Sequence, residues 1–146
     1  MIKLISILKE IVDPTQEYQD LVEKIKQQGG KFLGSGDYGA AFLVGDKVLK
    51  VTTDSEELED AQILKGRNTK YFVYIYDVEV INPKLGIIAM ENLEPYTADP
   101  SAIIVDDIYD EADSLGISPD LEGPGGRVKM DNIMQDRNGN IKVIDV

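Results

Sequence analysis

The chain contains no cysteine, so it has no disulfide, no thiolate zinc site and no thiol nucleophile, a composition compatible with a reducing compartment. Histidine is absent too, which removes the usual general base near neutral pH and the commonest metal ligand. Acid–base chemistry and the binding of any hard cation therefore fall to carboxylates and neutral oxygens. Long apolar runs are missing as well: no segment approaches the length of a membrane span. Residues 1–12 are apolar but interrupted by Lys3, Lys9 and Glu10, with no small-residue cleavage site behind them, unlike a signal peptide. The expectation is a cytoplasmic protein that engages no membrane. Positive charge is scarce, the formal net charge being −12 on 146 residues. That argues against a nucleic-acid partner, because phosphate-backbone affinity rests on Lys and Arg. The imbalance peaks between residues 85 and 126, where no Lys or Arg occurs but Glu91, Glu94, Asp99, Asp106, Asp107, Asp110, Glu111 and Asp113 do. Such a run reads as a solvated acidic face, or as a docking surface for a basic partner.

What is present suits a soluble globular chain: 42% hydrophobic and 29% charged residues, at a length fitting one domain or two small lobes around a cleft. Ile2, Ile5, Leu8 and Val12 recur at helical spacing. A second helix follows, with Asp13 as cap, Pro14 in the first position, Tyr18, Leu21, Val22 and Ile25 as its apolar stripe, and Gly29 or Gly30 at its end. From Lys31 the pattern turns to short strands, at 31–35, 40–44 and 47–53, with Gly45-Asp46 as a hairpin turn. Residues 55–65 read as a helix capped by Ser55, and 72–81 and 85–90 as strands. Asp99-Pro100 opens a helix carrying Ile103, Ile104, Ile108 and Ala112 that closes near Gly116. A Gly/Pro-rich loop at 122–126 precedes a last hairpin, 133–135 with 141–144, turning through Arg137-Asn138-Gly139.

Gly34-Ser35-Gly36-Asp37-Tyr38-Gly39 is a G-x-G-x-x-G run. A dinucleotide fingerprint would need a helix directly after it. Here a strand follows instead, then a hairpin, then Val48-Leu49-Lys50. Strand, glycine loop, strand, and a lysine on the next strand resemble the arrangement of protein kinases, which implies that the loop covers nucleotide phosphates from above. Small residues suit it because backbone amides must approach the phosphate oxygens closely.

On these residues the chain resembles the protein-kinase-like superfamily, and the likeness runs through most of residues 31–146. Val48-Leu49-Lys50 is similar to the family's V-A-I-K strand, which implies that Lys50 contacts the α- and β-phosphates. The resemblance also implies an acidic partner for that lysine on the next helix. An ungapped comparison through Asp60-Ala61-Gln62-Ile63-Leu64 assigns it to Asp60, with Glu56 and Glu57 one turn earlier as alternatives. Ile87-Ile88-Ala89-Met90-Glu91-Asn92-Leu93 resembles the hinge between lobes, where backbone groups from Glu91 to Leu93 would hold adenine. Asp131-Asn132-Ile133-Met134 and Asn140-Ile141-Lys142-Val143-Ile144-Asp145 resemble the stretch from catalytic loop to DFG motif, so Asn132 and Asp145 stand where the family has its Mg²⁺ ligands.

The resemblance implies an α+β kinase-like fold. Residues 1–30 would form a helical extension, 31–93 an N-lobe with Gly34, Ser35, Gly36 and Gly39 over the nucleotide, and 94–146 a much reduced C-lobe ending just after the DFG-like position. It implies ATP and Mg²⁺ as cofactors. The catalytic aspartate admits two readings. Counted backward from Asn132, Arg127-Val128-Lys129-Met130-Asp131-Asn132 matches D-L-K-x-x-N with Arg127 in the aspartate's place. Counted forward from the helix, Ser118-Pro119-Asp120-Leu121 supplies Asp120, followed by an insertion. Three functions fit: a pseudokinase or partner-binding module with an ATP cleft, which the sequence favours; an active phosphotransferase using Asp120 as base; or an acidic decoy on a kinase-like scaffold. A protein partner or self-association through the C-lobe surface is expected.

Overall fold

The computed structural model of the chain describes residues 14–36 and 38–144, without the side chains of Pro14, Thr15, Ala102 and Pro124. The helix expected over residues 1–12, the Asp13 cap, Asp37 and Asp145 lie outside the described residues.

Helix α1 (Pro14–Gln27) leads into strands β1 (Lys31–Ser35), β2 (Gly39–Val44) and β3 (Lys47–Thr52). Helix α2 (Ser55–Leu64) and strands β4 (Ile75–Asn82) and β5 (Leu85–Glu91) complete a five-stranded antiparallel sheet in the order β1-β2-β3-β5-β4. Alternation along these strands divides the side chains between two cores. Ala40, Phe42, Leu49, Val51, Leu85, Ile87 and Ala89 face one way and pack against Leu21 and Ile25 of α1. Leu21 and Ile25 are fully buried, and each contributes about 1.5–3 kcal/mol by leaving water. The stop of α1 is built by both candidate glycines. Gly29 takes a left-handed φ of 92°, and the Gly30 N–H returns to the Ile25 carbonyl at 2.9 Å.

The opposite face of the sheet meets α2 and the segment below. There Ile75, Val78, Ile88 and Met90 join Leu58, Ala61 and Leu64 of α2 and residues of α3 (Val105–Leu115). A second, three-stranded sheet follows the order β6 (Glu94–Pro95), β7 (Ile133–Gln135), β8 (Ile141–Val143).

Three elements differ from the sequence reading. The cap of α2 is Asp54, whose carboxylate accepts from the N–H groups of Glu56 and Glu57; Ser55 is the first helical residue. The helix expected from Pro100 is split. Asp99 caps a single 3-10 turn by accepting from Ser101 N at 2.9 Å. Ile103 and Ile104 are then extended, and α3 starts at Val105, where Asp106 and Asp107 complement the helix dipole. Gly116 ends α3 with a left-handed φ of 77°, as its position suggested. Residues 72–74 are not strand: Phe72 and Val73 are buried, and Val73 N donates to Val143 O while Val143 N donates to Tyr71 O. Their apolar character serves the join between sheet and lower hairpin. The β7–β8 turn runs through Arg137-Asn138-Gly139 as the sequence suggested, and Asp136 organises it, its carboxylate accepting from Asn138 N and Asn140 N at 2.9 Å each.

The loop before β4 is also tied to the lower half by side chains. Glu111 of α3 accepts from Lys70 N at 3.0 Å and Tyr71 N at 2.8 Å, and Lys142 Nζ donates to Thr69 O at 2.9 Å.

Candidate functional site

The glycine run bridges β1 and β2. It is closed by a bond from Gly36 N to Gly39 O at 2.9 Å. Tyr38 O accepts from both Thr53 N (2.7 Å) and Thr53 Oγ1 (3.0 Å). The glycines have different reasons to be glycine. A Cβ on Gly39 would run into the backbone carbonyl of Val51, so the fold itself requires that residue. At Gly34 and Gly36 a Cβ would meet nothing within 4 Å and φ is not left-handed. The protein's own packing does not call for glycine there, whereas a ligand pressed against the backbone would.

Below the run, the cleft-facing residues of the sheet and the end of β5 enclose a cavity of about 780 Å³, a size that suits a small ligand. Ala41 and Val48 lie above it, Met134 and Ile144 below, and Met90 through Leu93 along one side, with Gly34, Ser35, Gly36, Gly39 and Lys50 around its polar end. Glu91 is fixed at the end of β5: its N–H donates to Tyr74 O at 3.0 Å and its carboxylate accepts from Tyr74 N at 2.8 Å. A second cavity of about 330 Å³ shares Gly36, Gly39 and Lys50 with the first and extends past Tyr38 and the start of α2 to Asp60, Ser118 and Asp120.

Lys50 Nζ lies 2.5 Å from Glu57 Oε2. The partner is therefore Glu57, not Asp60. The ungapped count placed the carboxylate one turn too late along α2. With the helix capped by Asp54, Glu57 falls with the buried residues Leu58, Ala61 and Leu64, and its longer side chain spans to β3. Asp60 instead accepts a hydrogen bond from Ser118 N at 3.2 Å. Its carboxyl is pushed above the ordinary value of 3.8 by burial, with the charges of Glu59, Glu56 and Asp54 adding to the rise and the Ser118 bond opposing it.

The two sequence counts toward Asn132 meet across one hairpin. Lys129 N donates to Leu121 O at 2.6 Å and Gly123 N to Arg127 O at 2.7 Å, with an antiparallel bridge between Glu122 and Val128. Residues 122–128 thus form a small hairpin whose tip, Pro124–Gly126, uses the left-handed Gly125 (φ 75°) and Gly126 (φ 73°). Its base joins Asp120-Leu121 to Lys129-Met130-Asp131-Asn132, and across that seam the chain reads D-L-K-x-x-N. Side chains bond across the same seam. Asn132 Nδ2 donates to Asp120 O at 2.5 Å, and Lys129 Nζ lies 2.8 Å from both carboxylate oxygens of Asp120. Arg127 is on the stem of the hairpin, exposed, and does not occupy the aspartate's place. Ile144 N donates to Asn132 O at 3.0 Å.

Sequence reasoning passed over Lys129 and Ser118 as members of the site. The lysine of the D-L-K pattern was a signal for the first. The second contributes only its backbone N–H, which carries no signal in residue type.

No family model and no curated protein matches the sequence. Among solved structures, the chain is similar to the protein kinase Rad53, in a crystal structure of its residues 1–466 in complex with AMP-PNP. The TM-score is 0.54 at 15% sequence identity, over 92% of this chain and 43% of that one. The chain thus spans less than half the length of the kinase it resembles. At that identity the likeness speaks to fold alone: the five-stranded antiparallel sheet with its helix is a kinase-like N-lobe fold.

Proposed function

We propose that the chain binds ATP in the larger cavity in the manner of a kinase and transfers the γ-phosphoryl group, with Asp120 as base. The observation that carries this reading is the seam at residues 122–128, which restores one contiguous loop of Asp120, Lys129 and Asn132. An insertion tolerated in a loop without function has no reason to preserve those three partners. The formed Lys50–Glu57 pair supports the nucleotide half of the reading, as do the two glycines that the fold does not require.

In this reading the purine lies between Ala41 and Val48 above and Met134 and Ile144 below, against the backbone of residues 91–93. The amides of residues 34–39 cover the phosphates, and Lys50, held by Glu57, meets the α- and β-phosphates as a fixed positive charge. Asn132 suits a hard cation: its NH₂ is spent on Asp120 O, which leaves the amide oxygen as its ligating end. Mg²⁺ held by Asn132 and Asp145 would neutralise charge on the β- and γ-phosphates. Asp120 takes the proton of the attacking hydroxyl as the new P–O bond forms and the bond to ADP breaks. Lys129 stays beside the carboxylate and offsets charge building on the transferred group. Arg127 has no part in the proton transfer, since a guanidinium cannot accept a proton.

The test is ATP·Mg²⁺ calorimetry with a radiolabelled-ATP turnover assay on the chain and on Asp120→Asn. The expected result is saturable binding in both proteins and phosphoryl transfer, to water or to the chain itself, in the unmodified protein alone. Binding without turnover would overturn the transfer step and leave a nucleotide-binding module, the reading favoured by sequence. Absence of binding would overturn both.

A further inference from the structure

We propose that Asp60 is a positioning residue through which helix α2 sets the distance between the phosphate-binding lysine and Asp120; this rests on the nucleotide-site reading above. Two bonds leave α2 toward the site, three residues apart and so on one side of the helix. Glu57 holds Lys50 of β3, and Asp60 holds the Ser118 amide, two residues before Asp120. A single rigid turn of helix connects the two grips.

The segment on the receiving end is otherwise built from below. After the left-handed cap at Gly116, Ile117 and Leu121 are buried in the lower core. The Asp120 carbonyl is bonded by Asn132 and its carboxylate by Lys129. The hydrogen bond from Ser118 N to Asp60 comes from the helix that also grips Lys50. Asp60, Ser118, Asp120 and Lys50 all line the smaller cavity, so the tether spans the wall between the nucleotide and the reacting hydroxyl. A carboxylate in a partly desolvated place, crowded by Glu59, Glu56 and Asp54, is an unfavourable choice for packing alone; the Ser118 bond is what it gains there.

The consequence is coupling. Nucleotide engaging Lys50 shifts the Lys50–Glu57 pair, and α2 passes the displacement to Ser118 and Asp120. The experiment is an ATP·Mg²⁺ titration of the isotope-labelled full chain by amide NMR, on the unmodified protein, Asp60→Ala and Asp60→Asn, with turnover measured in parallel. In the unmodified protein, ATP moves the amides of Ser118 and Leu121 together with those of residues 34–39 and Lys50. In Asp60→Ala the glycine-run and Lys50 shifts remain, with a Kd within about twofold. The Ser118 and Leu121 shifts disappear, and the turnover rate falls by about 10²-fold at unchanged KM for ATP, the scale set by a misplacement near 1 Å. Asp60→Asn, which keeps an acceptor oxygen, retains the Ser118 shift and most of the rate. Shifts at Lys50 that never reach Ser118 in the unmodified protein overturn this inference and leave the nucleotide site standing. Propagation that survives Asp60→Ala, or an Asp60→Asn protein as impaired as Asp60→Ala, also overturns it. A titration with no shift anywhere refutes the nucleotide site itself.

Discussion

Replacing Lys50 by methionine leaves the Glu57 side chain, 5% exposed, in the core without the ammonium of Lys50. Removing one partner of a buried ion pair costs about 3–5 kcal/mol, because the remaining charge stays desolvated without that counter-charge. Glu57 meets the condition of full burial; Lys50, at 24% exposure, does not. The two ends of the pair are therefore unequal. Lys50→Met falls near the lower end of that range, about 3 kcal/mol. Glu57→Leu leaves an ammonium on a flexible stem that reaches water, while leucine fills the space beside Leu58, and it costs about 1 kcal/mol. The double variant carries neither charge and costs about as much as Glu57→Leu, giving a coupling energy of about 3 kcal/mol. Urea unfolding reads these differences as midpoint shifts at constant m. Equal costs for the two single variants, or strict additivity in the double, would refute the reasoning.

Other outcomes follow from single contacts. Gly39→Ala drives a Cβ into the Val51 carbonyl and costs about 2 kcal/mol or more by thermal unfolding. Gly36→Ala meets no protein atom within 4 Å; it leaves stability unchanged or raises it by a few tenths of a kcal/mol, about what a stiffer unfolded chain confers, while weakening ATP binding. The folded-state pKa of Asp60 is raised by burial, so its contribution to stability is present below the ordinary value of 3.8 and is lost as pH rises through the folded value. At neutral pH its charge opposes folding, and Asp60→Asn has a Tm at or above that of the unmodified protein at pH 7, the difference closing as pH falls toward 3.8. Deletion of residues 122–128, joining Leu121 to Lys129 across their 2.6 Å bond, leaves a folded chain that still binds ATP; loss of binding would show that the hairpin is part of the nucleotide site.

The sheet was legible because its signals are local. Alternating β-branched and aromatic residues, punctuated by Gly45-Asp46 and Asn82-Pro83, mark β2 to β5 to within about three residues. The stop signals of α1 and α3 were legible for the same reason, since Gly29 and Gly116 adopt the left-handed backbone that glycine tolerates. The interrupted helix at Ile103-Ile104 was not: apolar spacing favours one helix, and the break is made by Asp99 capping a separate turn. The partner of Lys50 depended on helix phase, which a cap one residue earlier resets, and family alignment had no means of sensing it. The stretch from Asp120 to Asn132 was half legible from each direction. Neither count finds the other half, because the closing bonds between Leu121 and Lys129 and between Gly123 and Arg127 involve backbone groups. Those are common to every residue type and leave no trace in composition.

The most direct test of the nucleotide site is calorimetric titration of ATP·Mg²⁺ into the full chain, paired with thermal unfolding at saturating ligand. The cleft under residues 34–39, with Lys50 fixed by Glu57, predicts one saturable site and, at about a hundred times Kd, a stabilisation of about 2.7 kcal/mol. Lys50→Met abolishes the site. Neither heat nor a stability shift at millimolar ATP, from a chain shown to be folded, would contradict the account at its centre.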